Sequence, residues 1–196
     1  MHVARCCLIA VIALAGCAAA QGDLHVTLPP HIAAVAASAL AGAPPRNVAM
    51  APFSDAAARP GRIGDRSTSA NGPSGVVIID PPPAQLLYDA FAAELRRAGH
   101  TIQSTAGVTI EGNVIGFTLR INPTAVDWQL IVEANVAVTA RTDERTVNHA
   151  YSTRCEDRSY TRPGQREIAG VVGRCIDDLS RQFRSDEDIA QVLGAP

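Results

Sequence analysis

The sequence predicts an α+β fold, in which two amphipathic helices pack on one face of an antiparallel sheet and a short helix ends the chain. Two observations support this prediction. Residues 128–141 alternate between apolar and polar side chains, as half-buried strands do. Residues 165–183 instead repeat apolar side chains at the period of a helix. A sheet with one apolar face needs helices to cover it, and we expect its other face to be polar.

The first residues have the parts of a bacterial export signal. Arg5 is basic, residues 8–14 are apolar without interruption, and small residues follow them. The apolar run is shorter than the ~20 residues that span a bilayer. Its end, Leu14-Ala15-Gly16-Cys17, resembles the lipobox at which bacterial lipoproteins are cleaved and acylated. An ordinary cleaved signal peptide is the alternative.

The lipobox resemblance implies a membrane anchor attached at Cys17. Each buried methylene contributes ~0.8 kcal/mol and one acyl chain alone binds only marginally, but such lipoproteins usually carry more than one chain, such as palmitate. Ala18 stands where an aspartate favours retention in the inner membrane. The resemblance therefore implies an outer-membrane protein that faces the periplasm.

The domain organisation follows from this signal. We expect residues 1–16 to be the signal peptide, residues 17–45 to be a lipid-anchored segment with a short edge strand, and residues 46–196 to form a single α+β domain. About 180 mature residues suffice for one domain of ordinary size. Residues 54–75 lack periodicity and are rich in Gly, Ser, Pro and Arg, which predicts a long loop or an irregular hairpin.

The remaining elements are marked by turns and caps. Prolines precede a helix over about 82–98 and Gly99 follows it. In the next strand, the apolar side chains change from even-numbered to odd-numbered positions near residues 115–117, which predicts a β-bulge. Residues 128–141 and 146–160 then continue a three-stranded meander. Ser185 and Asp188 predict the cap of the last helix.

The five cysteines divide by position. Cys6 and Cys7 leave with the signal peptide, and Cys17 takes the lipid. Cys155 and Cys175 remain as a pair in an oxidising compartment, which predicts a disulfide. Two unpaired buried thiols are the alternative. The spacing is unlike Cys-x-x-Cys, so redox or metal chemistry is disfavoured.

Charge and motifs disfavour several classes of function. Seventeen basic and nineteen acidic residues leave a net charge of −2, which disfavours disorder and a nucleic-acid partner. Ser74 lacks the spacing of a hydrolase nucleophile, and no glycine-rich phosphate loop is present. No histidine pair has metal-ligand spacing, and His149 is expected to be a surface or hydrogen-bonded residue of the sheet. We predict no catalytic residue, no metal and no cofactor, and hence no enzyme.

Three arginines in the segment 54–75 are the candidate for ligand binding. Arg59, Arg62 and Arg66 are suited to bind an anion such as a phosphate or a lipid headgroup. A solvated loop is the alternative. Asp55, just before them, is expected to close its strand with an Asx-turn.

Several segments together resemble a known family. They are the lipobox, residues 48–55 (Val-Ala-Met-Ala-Pro-Phe-Ser-Asp), the helix before Gly99, and the final Asp186-x-x-Ile189. Their order and spacing resemble the YajG family of bacterial lipoproteins over most of the mature chain. That family supplies no catalytic residues. The same order is similar to auxiliary lipoproteins of lipid-transport ABC systems.

These observations predict a non-enzymatic lipoprotein that is held at the membrane by its N-terminal lipid. We expect it to bind an envelope protein or lipid through its polar sheet face or the segment 54–75. An auxiliary subunit of an envelope transport or assembly complex is the second hypothesis. A hydrolase without a recognisable motif is the third.

Overall fold

The computed structural model describes residues 22–31, 37–57, 59–66 and 75–194. The strands within these ranges are β1 (Leu24–Thr27), β2 (Asn47–Met50), β3 (Ser54–Asp55), β4 (Arg62–Arg66), β5 (Gly75–Asp80), β6 (Thr101–Gln103), β7 (Val108–Pro123), β8 (Trp128–Arg141) and β9 (Thr146–Ser159). The helices are α1 (Pro83–Arg97), α2 (Gln165–Arg184) and α3 (Glu187–Gly194), with a 3-10 turn at Leu40–Gly42.

All of these strands belong to one mixed sheet built around β7. On one side of β7, β8 and β9 form the predicted antiparallel meander. On its other side, β2, β3 and β4 run parallel to β7 in succession along its length. Beyond them the sheet continues to β6 next to β2, and to β5 and then β1 next to β4.

The α+β class is confirmed, but the prediction of a purely antiparallel sheet is wrong. The parallel pairs all involve short strands that lie before or just after α1. A strand of three or four residues is too short for its periodicity to reveal its partner, and parallel strands pair across long crossover connections. For residues 54–75 the structure favours the predicted irregular hairpin over a long loop, because β4 and β5 pair antiparallel with a shift in register. The segment also contains β3.

The predicted β-bulge is confirmed in the middle of β7. The pairing with β8 shifts register between Val114 and Gly116. Before the bulge Ile110 and Val114 are buried, and after it Phe117 and Leu119 are buried. Ile115, the extra residue, points away from the core and is 56% exposed.

The helices cover one face of the sheet, and the core lies between them. Phe91 of α1 stacks on Phe183 of α2 with ring centroids 4.3 Å apart. Phe53 and Tyr151 meet Phe91 edge to face, which joins the helices to the sheet. Such aromatic pairs add ~0.5–1.5 kcal/mol each beyond the apolar area that they bury.

Residues on both sides of positions 32–36 are tied to this core. β1 pairs with β5 at one edge of the sheet, and Val26 and Leu40 are fully buried. The hydroxyl of Ser38 and the amide of Ala39 both donate to the carbonyl of Arg184, at the end of α2. The segments around β1 and the 3-10 turn are therefore packed parts of the fold.

Candidate functional site

The face of the meander opposite the helices is polar, as predicted. We call it the outer face; it consists of the side chains of β7, β8 and β9 that point away from α1 and α2. On β8 and β9 these residues alternate strictly with the core residues. Its larger polar members are Glu111, Asn113, Arg120, Gln129, Glu133, Asn135, Thr139, Arg141, Asn148, Ser152, Arg154, Glu156 and Arg158.

Ion pairs cross the strands of the outer face. Glu133 Oε1 accepts hydrogen bonds from Arg120 Nη2 at 2.7 Å and from Arg154 Nη1 at 2.9 Å. Arg141 Nη2 donates to Glu111 Oε1 at 2.7 Å. Exposed pairs of this kind contribute only ~0–1 kcal/mol to stability. They leave a surface rich in hydrogen-bonding groups with little net charge.

A cleft of about 310 Å³ lies beside the bulge at the border of the outer face. Ile115, Gly116 and Phe117 of β7 line one side of it. Residues 55–57 and 62–64, from β3 and β4, line the other side. The cleft thus places an exposed apolar side chain next to polar groups, and we call it the bulge cleft.

Arg62, one of the three predicted anion-binding residues, lines the bulge cleft. Its Nη2 donates to Asp65 Oδ1 at 2.6 Å, so a carboxylate of the same strand already balances its charge. Arg59 is exposed in the turn before β4, and the Arg66 backbone ends β4, while its side chain lies outside the described residues. Anion binding by these three arginines stays a prediction. Asp55 Oδ1 accepts from the amide of Ala57 at 2.8 Å, which is the expected Asx-turn.

A second polar cluster joins β9 to α3. The Asp186 carboxylate, whose side chain is 4% exposed, caps α3 by accepting from the amide of Ile189 at 2.9 Å. Its Oδ2 accepts from the hydroxyl of Tyr151 at 2.6 Å, and burial together with this hydrogen bond raises the pKa of Tyr151. The predicted cap by Ser185 and Asp188 is wrong, since Ser185 ends α2 and Asp186 occupies the cap.

His149 lies between two carboxylates of this cluster. Its Nδ1 is 2.5 Å from Asp186 Oδ2, and its Nε2 is 3.1 Å from Asp188 Oδ2. Both ring nitrogens of His149 therefore face carboxylate oxygens. The sequence did not reveal the cluster, because His149 is far along the chain from α3 and only the packing of that helix on β9 brings them together.

The same three residues, among those described, are a group whose possible metal-ligand atoms converge, within 4.8 Å of one another. The two carboxylates contact opposite nitrogens of the imidazole ring, and both oxygens of Asp186 already accept hydrogen bonds. These polar contacts join β9 to α3.

A second cleft is lined by several charged residues, and its charges are paired. It measures about 390 Å³ and lies between β9 and α2. Arg174 Nη2 donates to Asp157 Oδ2 at 2.8 Å and holds the pKa of that carboxyl below its usual value. Arg181 Nη2 donates to Asp178 Oδ1 at 2.5 Å. The cleft offers no isolated charge for a ligand of one sign.

The predicted disulfide is confirmed at the floor of this cleft. Cys155 of β9 and Cys175 of α2 are bonded, with Cα atoms 5.7 Å apart. The helical period places Cys175 on the buried face of α2, and β9 presents Cys155 to that face. Cys17 and the signal peptide lie outside the described residues.

A comparison with known protein families assigns the chain to one of them. A family model described as an uncharacterized lipoprotein matches residues 67–194, about two thirds of the sequence. The chain belongs to this lipoprotein family. The predicted membership of an uncharacterised family of bacterial lipoproteins is thereby confirmed, and the match covers β5 through α3.

Solved structures share the fold of this lipoprotein. Protein XCC0632 from Xanthomonas campestris is 11% identical, with a TM-score of 0.54, over 82% of this chain and 92% of its own. An uncharacterized protein is 11% identical, with a TM-score of 0.50, over 84% of this chain and 97% of its own. At these identities the likeness concerns the fold alone. No functionally curated protein matches the sequence.

No helix in the described ranges is both long and apolar enough to cross a membrane.

Proposed function

We propose that this lipoprotein is a non-enzymatic binding module, acylated at Cys17 and held at the periplasmic side of the outer membrane. Its outer face and the adjoining bulge cleft bind an envelope protein. The family assignment supports the lipid anchor, and the exposed Ile115 within a polar face is the observation that supports the binding role.

The position of Ile115 favours recognition over a purely structural role. A sheet face that only meets water needs no exposed large apolar residue, and β-bulges are enriched where a side chain is aimed at a functional site. Protein interfaces combine an apolar core with a polar rim, and arginine is enriched among their energetically important residues. Ile115 in the bulge cleft, with arginines on the outer face, matches that pattern.

The dimensions of the outer face also suit a protein partner. Strands of about fourteen residues extend ~46 Å, and three of them span ~14 Å, which gives roughly 650 Å² before side-chain relief is counted. A standard interface takes ~800 Å² from each partner. The outer face with its bulge cleft approaches that size, whereas a small-molecule site is normally enclosed.

The anchor is tested by replacing the acylated cysteine. Cys17→Ser is expected to move the protein from the membrane pellet to the soluble periplasmic fraction, because the thiol that carries the lipid is lost. Ala18→Ser, next to it, is the control and should leave the protein in the membrane. Persistence of Cys17→Ser in the pellet would disprove the anchor at this residue.

The binding role is tested at the bulge. Ile115→Asp should abolish copurification of the partner after crosslinking in cells, because it replaces the apolar anchor by a charge. Its melting temperature should stay within about 2 °C of the wild type, since the side chain is exposed. Glu144→Asp, in the turn after β8, is the control. Unchanged recovery of the same partner with Ile115→Asp would contradict the proposal.

The identity of the partner decides between two forms of this function. Recovery of a membrane component of an ATP-driven transporter would support the auxiliary-subunit hypothesis. Recovery of another outer-membrane or periplasmic protein would support an assembly or scaffolding role instead.

A further inference from the structure

We propose that one end of the sheet, formed by the β7–β8 turn and the end of β9, rests on the bilayer that holds the lipid anchor. We call it the membrane end; it comprises residues 123–128 and 158–166. This inference rests on the proposed acylation of Cys17, and it assigns a lipid-contact surface to Val126 and Tyr160.

The strand directions turn the start of β1 toward this end. Leu24, Val77, Gly64 and Leu119 lie on one row across β1, β5, β4 and β7. β1 is parallel to β5, β5 is antiparallel to β4, and β4 is parallel to β7. β1 therefore runs opposite to β7, and the chain that precedes Leu24 leaves the sheet in the direction in which β7 ends.

The length of that preceding chain matches the distance to the membrane end. Pro123, at the end of β7, is four residues beyond Leu119, or ~13 Å along the strand. Cys17 is seven residues before Leu24, and seven residues reach at most ~25 Å. The chain is thus long enough for a lipid on Cys17 to lie level with the membrane end. It is too short to let the domain move far from the bilayer.

Exposed apolar side chains are concentrated at this end. Of the three large apolar residues that are exposed in the described part of the chain, two lie here: Val126 is 78% exposed and Tyr160 is 86% exposed. Val126 is held in an ordered turn, in which the Thr124 hydroxyl accepts from the amides of Val126 and Asp127. A fixed, projecting valine beside a tyrosine suits the headgroup region, where amphipathic rings prefer to lie.

Two arginines at the membrane end project into solvent. The side chains of Arg158 and Arg166 are 72% and 93% exposed, and each also forms an ion pair, Arg158 with Asp127 at 3.7 Å and Arg166 with Glu167 at 3.1 Å. Asp127 itself is buried and accepts from the Thr124 hydroxyl. Basic residues near an anionic leaflet favour binding, and these arginines add to the apolar contacts of Val126 and Tyr160.

Trp128, the single tryptophan of the chain, begins β8 at this end and serves as the probe. The full lipidated protein is reconstituted into vesicles of phosphatidylethanolamine and phosphatidylglycerol that contain a lipid with a nitroxide on its headgroup. Flotation reports the anchor, and quenching of Trp128 fluorescence reports contact of the membrane end.

We expect flotation with strong quenching. The double variant Val126→Ser/Tyr160→Ser should float equally but lose at least half of the quenching, and Glu144→Ser, at the other end of the meander, should behave as wild type.

Flotation and quenching test the proposed anchor and this inference independently. A protein that floats while Trp128 stays unquenched would overturn the membrane end and leave the anchor standing. Equal quenching in the double variant would also overturn it, because the contact would not involve these side chains. A protein that does not float would contradict both the acylation and this inference.

Discussion

Gly112 shows at the scale of one residue why the centre of β7 tolerates little change. A Cβ atom at this position would lie 2.5 Å from carbon atoms of the Phe53 ring. The Phe53 ring cannot easily move away from position 112, because Tyr88 and Phe91 both contact it edge to face. The glycine in this strand is thus required by the close approach of an aromatic ring.

Gly112→Ala is therefore expected to lower the free energy of unfolding by about 1–3 kcal/mol, as overpacked core positions do. Gly116→Ala is the matched control, since a Cβ there would meet nothing within 4 Å. It should change stability by less than about 0.5 kcal/mol. Urea unfolding of both variants measures the difference, and equal losses would show that the ring contact is not the cause.

Tyr151 makes the stability of the protein sensitive to alkaline pH. Its pKa in the folded state is raised above the ordinary value of 10.0, so the folded protein keeps the hydroxyl proton when the unfolded chain releases it. This contribution is fully present below about pH 10 and is lost as the pH rises above it.

We expect the free energy of unfolding to fall above pH 10, with this residue contributing at most ~1.4 kcal/mol per pH unit. The sequence contains no lysine, so few other groups titrate in this window. Tyr151→Phe should be less stable by about 1 kcal/mol at pH 8, because the hydrogen bond to Asp186 is lost. It should also show a shallower alkaline decline in urea titrations. An identical decline in the variant would mean that another group causes it.

At the scale of elements, long periodic segments could be predicted from the sequence and short strands could not. β8 and α2 each repeat their pattern of apolar and polar residues over fourteen or more residues, and the sequence predicts both. β3 has two residues, and β4 contains Gly64, whose backbone approaches the carbonyl of Leu119 closely. The conformation of such short strands is determined by their neighbours in the sheet. Their own side chains therefore give little indication of strand structure.

The site was predictable to a similar degree. The alternation of β8 revealed the polar outer face, and the parity flip in β7 revealed the bulge. The bulge cleft also needs β3 and β4 to pair with β7, and the aperiodic segment 54–75, predicted to be a loop or an irregular hairpin, gives no sign of that pairing.

The disulfide links two of the predictable elements and should stabilise them together. Cys155 and Cys175 are 20 residues apart, and closing a loop of this length contributes about 3 kcal/mol in the chain-entropy model. Reduction should lower the midpoint of urea unfolding accordingly. The double variant Cys155→Ala/Cys175→Ala is the control and should not respond to reductant. A wild-type midpoint that is insensitive to reduction would argue against a stabilising bond.

At the scale of the whole molecule, the proposed lipid anchor and the sheet define an orientation. The start of β1 is directed toward the membrane end, the helices cover one face of the sheet, and the outer face is left uncovered by the described residues. A protein held in this way presents the outer face alongside the membrane, where a partner from the envelope can reach it.

In-cell photocrosslinking tests this central claim most directly. A photoreactive amino acid replaces Asn135, which lies on the outer face opposite Gly116 of the bulge, and in a matched strain it replaces Gln191, exposed on α3. The proposal predicts a discrete adduct with one envelope protein from position 135, absent from position 191 and lost when Ile115→Asp is added. Adducts of equal yield from both positions, or none from position 135 in cells that retain the lipidated protein, would contradict a binding role for the outer face.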